Sequence, residues 1–192
     1  MRYLSILLVS LLSYLTSYAQ PTHPPRAGQP TAVLQVSAAR LYIREATGHN
    51  DGPEVEAAQR AAGARPGIDE WCGCEQYMEQ HLCGLPSPPW PAAARNWTPP
   101  TSPRTVYIRG LRGTTADIAP GYQVTFYYSN LGRIGHVGRA VSATRAVRRG
   151  RPARGWIVRA GNTGTGGGRT GAGVYDIFYS SYEIYAAANW LY

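Results

Sequence analysis

Residues 69–83 read DEWCGCEQYMEQHLC: two cysteines one residue apart behind a tryptophan and two acids, with a third cysteine closing the stretch. Whether this is a helix, a metal knuckle or a disulfide loop decides the fold. As a helix from about Glu70 to Leu82, it places Cys74, Tyr77, Met78 and Leu82 at the i, i+3, i+4, i+8 spacing of a buried stripe, with Glu75, Glu79 and Gln80 facing elsewhere. Cys72, Cys74, His81 and Cys83 have the donor types of a zinc site. Ligands nine or more residues apart on one helix, however, are separated by about 13 Å along its axis, and EQYMEQHLC has no turn residue to bring them together. A disulfide fails for the same reason: the roughly 7 Å Cα limit excludes Cys74 with Cys83, and Cys72 with Cys74 would strain the backbone. No metal and no cofactor are therefore expected.

Upstream, AVLQVSAARLYIREA (32–46) has near-helical apolar spacing and is expected to be a helix stopping at Thr47-Gly48. GHNDGP (48–53) is a turn. PEVEAAQRAAG (53–63) follows as a second helix, with proline at its first position, acids in its first turn and glycine at its end. Downstream, GLPSPPWPAAARNWTPPTSP (84–103) is too rich in proline for regular structure. After Arg104 the character changes. RTVYIRG, GYQVTFYYS, GHVGRAVSA, GWIVRAG, AGVYDIFYS and YEIYAAANWLY read as strands bounded by glycine or polar punctuation. Helices followed by a run of strands predict an α+β domain in which N-terminal helices pack on an antiparallel sheet.

The chain opens with MRYLSILLVSLLSYLTSYAQ, one arginine followed by a short apolar stretch and the small-x-small pattern Ser17-Tyr18-Ala19. This is the pattern of a cleaved secretory signal over residues 1–19, too short for a stable membrane-spanning helix. Residues 20–31 form a proline-rich spacer, and a single domain is expected over residues 32–192. All 19 basic residues are arginine, set against 11 acids, for a net charge of +8. Such a charge attracts anionic wall polymers weakly and without specificity. Much of it lies in RAVRRGRPARGWIVR (145–159), read as a solvated loop between strands. No zinc finger, helix-turn-helix or RNP pattern is present, so no specific nucleic-acid partner is expected. The protein is expected to be a secreted monomer.

A cysteine in the first turn of a helix has its thiol pKa lowered by the helix N-terminus, and neighbouring backbone N–H groups can receive an oxyanion. Cys72 is placed for this, whereas Cys74 falls on the buried stripe. His23 lies in the spacer, His49 in a polar turn and His81 on the cysteine's own helix. His136, in GRIGHVGRA, opens a strand between glycines and reads either as a general base or as a structural strand-end residue. Asn162, before TGTGGG, can orient an imidazole as in Cys-His-Asn sites, or simply make a turn. Asp69 is a candidate cap for the cysteine helix.

In order, REATGHNDGPEVE, EWCGCE, GLP, ARNW, GRIGHVG and VRAGNTG…GAGV resemble the CHAP-type, NlpC/P60-like cysteine peptidase/amidase family of wall hydrolases, over about residues 35–192. The resemblance implies a papain-like fold, Cys72 as nucleophile, His136 as general base and Asn162 as orienting residue. It implies peptidoglycan as substrate, cut at a stem-peptide bond or at the muramoyl–L-alanine amide. Trp71, Asn50, Gly135 and Trp156 are expected to contact that substrate. The alternatives are a non-catalytic wall-binding module and the same chemistry used as an antibacterial toxin. One departure stands out: relatives commonly carry an acid two residues before the asparagine, where this chain has Ala160.

Overall fold

The computed structural model describes residues 30–192. The expected signal segment and residues 20–29 of the spacer lie outside the described residues. Three helices, α1 (Pro30–Ala39), α2 (Pro53–Ala61) and α3 (Cys72–Leu82), precede six strands. The strands are β1 (Thr105–Ile108), β2 (Gln123–Tyr128), β3 (Arg133–Arg148), β4 (Arg151–Thr163), β5 (Gly173–Ser180) and β6 (Ala186–Ala188). They form one antiparallel sheet in the order β1-β6-β2-β3-β4-β5. The architecture is α+β with an antiparallel sheet, as the order of patterns along the chain predicts. Between α3 and β1 the proline-rich segment contains only a single 3-10 turn, Ala94–Trp97.

Local chemistry accounts for the helix ends. Pro53 starts α2 behind Gly52, and Glu54 and Glu56 complement the dipole of its first turn. Helix α1 differs from expectation at both ends. It includes Pro30 and Thr31 of the expected spacer, and it stops at Ala39 rather than Ala46. The residues beyond it leave the helical path because the edge of β5 offers backbone partners: Glu45 N–H donates to Ala172 O (2.8 Å) and Val174 N–H to Ile43 O (3.1 Å). Ile43 is thereby buried against Val55 and Val174. Tertiary pairing overrides helix propensity there.

The arginine-rich segment is also not a loop. β3 and β4 continue through it as a paired ribbon, with Arg145 opposite Arg154 and Arg148 opposite Arg151. Arg149 and Gly150 both have positive φ (53° and 76°), the conformation a two-residue hairpin turn requires. The sheet is strongly curled. Phe126 on β2 and Tyr179 on β5 meet with ring centroids 4.3 Å apart, although two strands separate them and a flat sheet would hold them about 14 Å apart. The inner face encloses a core that includes Val124, Phe126, Ala140, Trp156 and Val158.

Helix α3 packs on the outer face: of the expected apolar stripe Cys74 is fully buried and Tyr77 and Met78 pack against its cluster, but the side expected to face elsewhere is buried as well. Glu75, Glu79 and Gln80 are fully buried, whereas Leu82 is 46% exposed. The facing surfaces are cationic and hydrogen-bonding. Arg139 of β3 donates from Nε to Glu79 Oε2 (2.6 Å), from Nη1 to Gly121 O (2.8 Å) and from Nη2 to Gln80 Oε1 (3.3 Å). With its amide oriented to accept, Gln123 Oε1 lies 3.0 and 3.1 Å from the same guanidinium. Ser37 Oγ of α1 donates to Glu79 Oε1 (2.8 Å), and Arg40 holds Glu75 through two bonds of 2.6 and 2.9 Å. Burial pushes the Glu75 carboxyl above its ordinary range, and the Arg40 bonds oppose that shift.

Removing one partner of a buried pair leaves an uncompensated charge. Glu79→Ala is expected to lower stability by about 3–5 kcal/mol, measured by urea unfolding. Glu56→Ala, which removes a helix-surface pair with Arg60, should cost no more than about 0.5 kcal/mol.

Candidate active site

The site is built around the start of α3. Cys72 is the first helical residue, and Trp71 before it supplies no side-chain cap. Asp69 does not cap the helix: its carboxylate accepts from the Arg65 backbone N–H (2.8 Å) and from the Arg65 guanidinium (2.6 Å). Helix α3 instead starts where it does because it is wedged. A Cβ on Gly73 would lie 2.4 and 2.5 Å from the carbonyl oxygens of Ala92 and Pro91, so only glycine fits between the two cysteines. On the other side, a Cβ on Gly161 of β4 would lie 2.5 Å from Trp71 Cζ3. The Trp71 ring is fully buried, and its Nε1–H donates to Glu45 Oε1 (2.7 Å).

The wedge sits where β3 and β4 part. Their last paired residues at this end are Arg139 and Arg159, and β4 is irregular against β5 between Ala160 and Thr163, with Asn162 at φ 55°. Cys72 packs there with Val137, Ala94, Trp97 and Trp190, and the Val137 backbone N–H faces its sulfur. His136 is the adjacent residue. It pairs with Phe126 across the β2–β3 ladder, its ring centroid 5.8 Å from that of Phe126. Strand alternation therefore directs the imidazole toward the inner face, while Val137 meets Cys72 on the outer one. Asn162 follows the glycine that Trp71 covers.

The three residues expected to be catalytic are all buried, with Cys72 and the His136 ring on opposite faces of the sheet. They are not joined by hydrogen bonds. Both ring nitrogens of His136 and the Nδ2 of Asn162 have no partner among the described residues. Asn162 Oδ1 accepts only a long bond, 3.5 Å, from Gly171 N–H. The expected orienting bond from Asn162 to His136 is absent from this arrangement. Nor is there room for the acid missing at position 160: Ala160 is fully buried, and a Cβ on Gly138 would already lie 2.9 Å from its Cβ.

The expected substrate contacts fare unevenly. Trp71 is a fully buried wedge, whereas Trp156, 6% exposed in the inner core, lines a groove with Thr144, Arg145 and Arg154 whose lining includes none of Cys72, His136 and Asn162. Asn50 tightens the turn before α2, donating from Nδ2 to Ile68 O (3.3 Å) and accepting Gln59 Nε2–H at its carbonyl (3.1 Å). Gly135 is the extra residue of an irregularity opposite Phe126 and Tyr127. It is crowded, since a Cβ there would lie 3.0 Å from Leu131 and 3.1 Å from Tyr128.

Electrostatics reverse the expectation for the thiol. Burial pushes Cys72 up to about 11, the nearby Val137 N–H opposes the rise and the charge of Glu70 adds to it. Burial and then the charge of Arg169 lower His136 to about 3. Both groups are neutral at rest. Cys74 is pushed up to about 12 by burial, and the three thiols occupy three separate apolar clusters. Among the described residues, no three His, Cys, Asp or Glu side chains gather as metal ligands.

Two features escape a reading of the sequence. Gln76, one turn beyond Cys72 on the same helix face, is fully buried with both amide atoms unpartnered among the described residues. Glu70 and Arg169, 99 residues apart, form an ion pair. Glu70 lies two residues before the cysteine, but nothing in the glycine run announces that Arg169 will meet it. No family model, curated protein or solved structure matches the chain.

Helix propensity alone favours Gly73→Ala by about 1 kcal/mol. The carbonyl contacts demand the opposite sign. Gly73→Ala is expected to destabilise by about 1–3 kcal/mol, read as a lower urea midpoint.

Proposed function

We propose that this chain is a secreted, papain-like thiol hydrolase that cleaves amide bonds in peptidoglycan, at a stem-peptide bond or at the muramoyl–L-alanine linkage. The observation that carries this reading is the position of Cys72: first residue of an uncapped helix, at the opening between β3 and β4, packed in one cluster with Val137, the residue after His136. The unpartnered nitrogens of His136 and Asn162 support it, because buried polar groups without partners are uncommon outside functional sites.

In the reaction, His136 takes the proton of the Cys72 thiol as sulfur attacks the carbonyl carbon. The C–N bond of the tetrahedral adduct then breaks, and the imidazolium gives its proton to the departing amine. Water, deprotonated by the same imidazole, releases the acyl group and restores the thiol. The Cys72 backbone N–H is the natural oxyanion donor at the helix start. Because the resting thiol and imidazole are neutral and unpaired, substrate binding has to bring the sulfur and the ring within reach of each other. Asn162 is the polar group available to hold the ring once it has moved.

The neutral resting pair also favours a second reading, a wall-binding module that retains the fold and its arginine surface without catalysis. Purified protein incubated with peptidoglycan separates the two. The hydrolase releases new fragments detectable by mass spectrometry, Cys72→Ala lowers their rate by more than about 10³-fold, and Cys74→Ala leaves it essentially unchanged. Salt-sensitive retention on peptidoglycan without fragments, indifferent to Cys72→Ala, would establish the binding module instead.

A further inference from the structure

The glycine-rich segment between β4 and β5 carries one charged residue, Arg169, and that residue reaches across to Glu70 just ahead of α3. The segment is held from beneath: Thr163 Oγ1 donates to Gly168 O (3.0 Å), Gly168 N–H to the Tyr179 hydroxyl (3.1 Å) and Gly171 N–H to Asn162 Oδ1 (3.5 Å). Arg169 Cδ lies 3.6 Å from where a Cβ on Gly135 would sit, which sets its side chain beside His136. The ion pair therefore spans from the residue pair Gly135-His136 to the residues leading into Cys72. Cys72 there is 3% exposed and His136 fully buried.

This pair differs in kind from the one between Glu79 and Arg139. Those two side chains are wholly buried, whereas Arg169 and Glu70 are 28% and 40% exposed. A partly exposed pair contributes little net stability, and another carboxylate can replace its anionic member at small cost. Arg169 is also the cation whose charge acts on His136, and Glu70 is the anion whose charge acts on Cys72.

We propose that the Glu70–Arg169 ion pair is a carboxylate-exchange gate over Cys72, in which Glu70 holds on Arg169 the place that a carboxylate of an acidic peptide substrate takes on entry. The substrate class named here rests on Cys72 being the reactive group of the site. The exchange selects amides with a carboxylate close to the bond presented to the sulfur, and it frees Glu70, whose charge disfavours the thiolate, to swing away from the site.

The test is alkylation of the intact folded protein with iodoacetate and with iodoacetamide at one fixed alkaline pH. Rates at each cysteine are read by peptide mass spectrometry, with Cys74 and Cys83 reporting global unfolding. In Glu70→Gln, Arg169 is free to recruit the anionic reagent, so the iodoacetate-to-iodoacetamide rate ratio at Cys72 should rise by about five-fold over wild type. Any change in thiolate fraction affects both reagents equally and cancels from the ratio. In the double variant both reagents should reach Cys72 faster than in wild type, with the ratio near the wild-type value, and in Arg169→Gln, where Glu70 is left unpaired, the ratio should fall below it. An unchanged ratio in Glu70→Gln, a raised ratio that persists in the double variant, or Cys72 labelling no faster than Cys74 and Cys83 in every variant would each overturn the gate. Alkylation needs no turnover, so a selective gate in a protein that releases no wall fragments would sink the hydrolase reading while leaving the gate standing.

Discussion

The ion pair between Glu79 and Arg139, buried completely between helix α3 and the outer face of the sheet, is the constraint on which the rest of the structure depends. Two charges withdrawn from water are tolerable only when every remaining donor and acceptor is satisfied. Here the guanidinium also bonds Gly121 O and the side chains of Gln80 and Gln123, while Ser37 serves the carboxylate. These demands admit one axial position and one rotation of α3. A slide by a single turn would break the Glu79 bonds to Arg139 and Ser37 and the Arg40 bonds to Glu75 together. Arg40 on Glu75 ties the first helix into the same arrangement, so three elements distant in sequence are registered by charge rather than by apolar shape.

That registration determines where the helix begins relative to the strands. With Glu79 fixed on β3, Cys72 lies about two turns away along the axis, at the level where β3 and β4 stop pairing. Glycines then allow the contact to close. Gly73 accepts the carbonyls of Pro91 and Ala92, and Gly161 accepts the Trp71 ring. The same close packing that fixes the sulfur withdraws it from water, which raises the thiol and depresses His136. Position and reactivity are thus opposed in the resting molecule. The Glu70–Arg169 pair, unlike the buried pair of Glu79 and Arg139, is partly exposed, and the proposed gate is the step that relieves the opposition.

Much of this was legible in the sequence. Helix α2 announced itself through Pro53, its early acids and Gly63, and the six strands through β-branched and aromatic runs. The glycines around His136 and the Trp71-Cys72 step located the candidate site. What escaped was whatever depended on a partner elsewhere in the chain. The apolar spacing of Cys74, Tyr77, Met78 and Leu82 accounted for only one buried side of α3, because an amphipathic pattern cannot reveal that Arg40 and Arg139 will meet its acids. Residues 40–46 have helical propensity, but β5 recruits them. The Arg149-Gly150 turn was hidden among arginines that looked like a solvated loop; the burial of Trp156 required the sheet's curl to be known, and that of Trp71 the close approach of Gly161.

The central claim is that the resting molecule holds the Cys72 thiol and the His136 imidazole both neutral and on opposite faces of the sheet, apart until substrate rearranges them. Nitrogen NMR of the His136 ring across a pH titration measures this directly. The account predicts a neutral imidazole from neutral pH down to about pH 4, protonating only toward a pKa of about 3, with the spectrum at neutral pH unaltered by Cys72→Ala. An imidazolium present at neutral pH that disappears on Cys72→Ala would contradict it, because that signature belongs to a preformed thiolate–imidazolium pair.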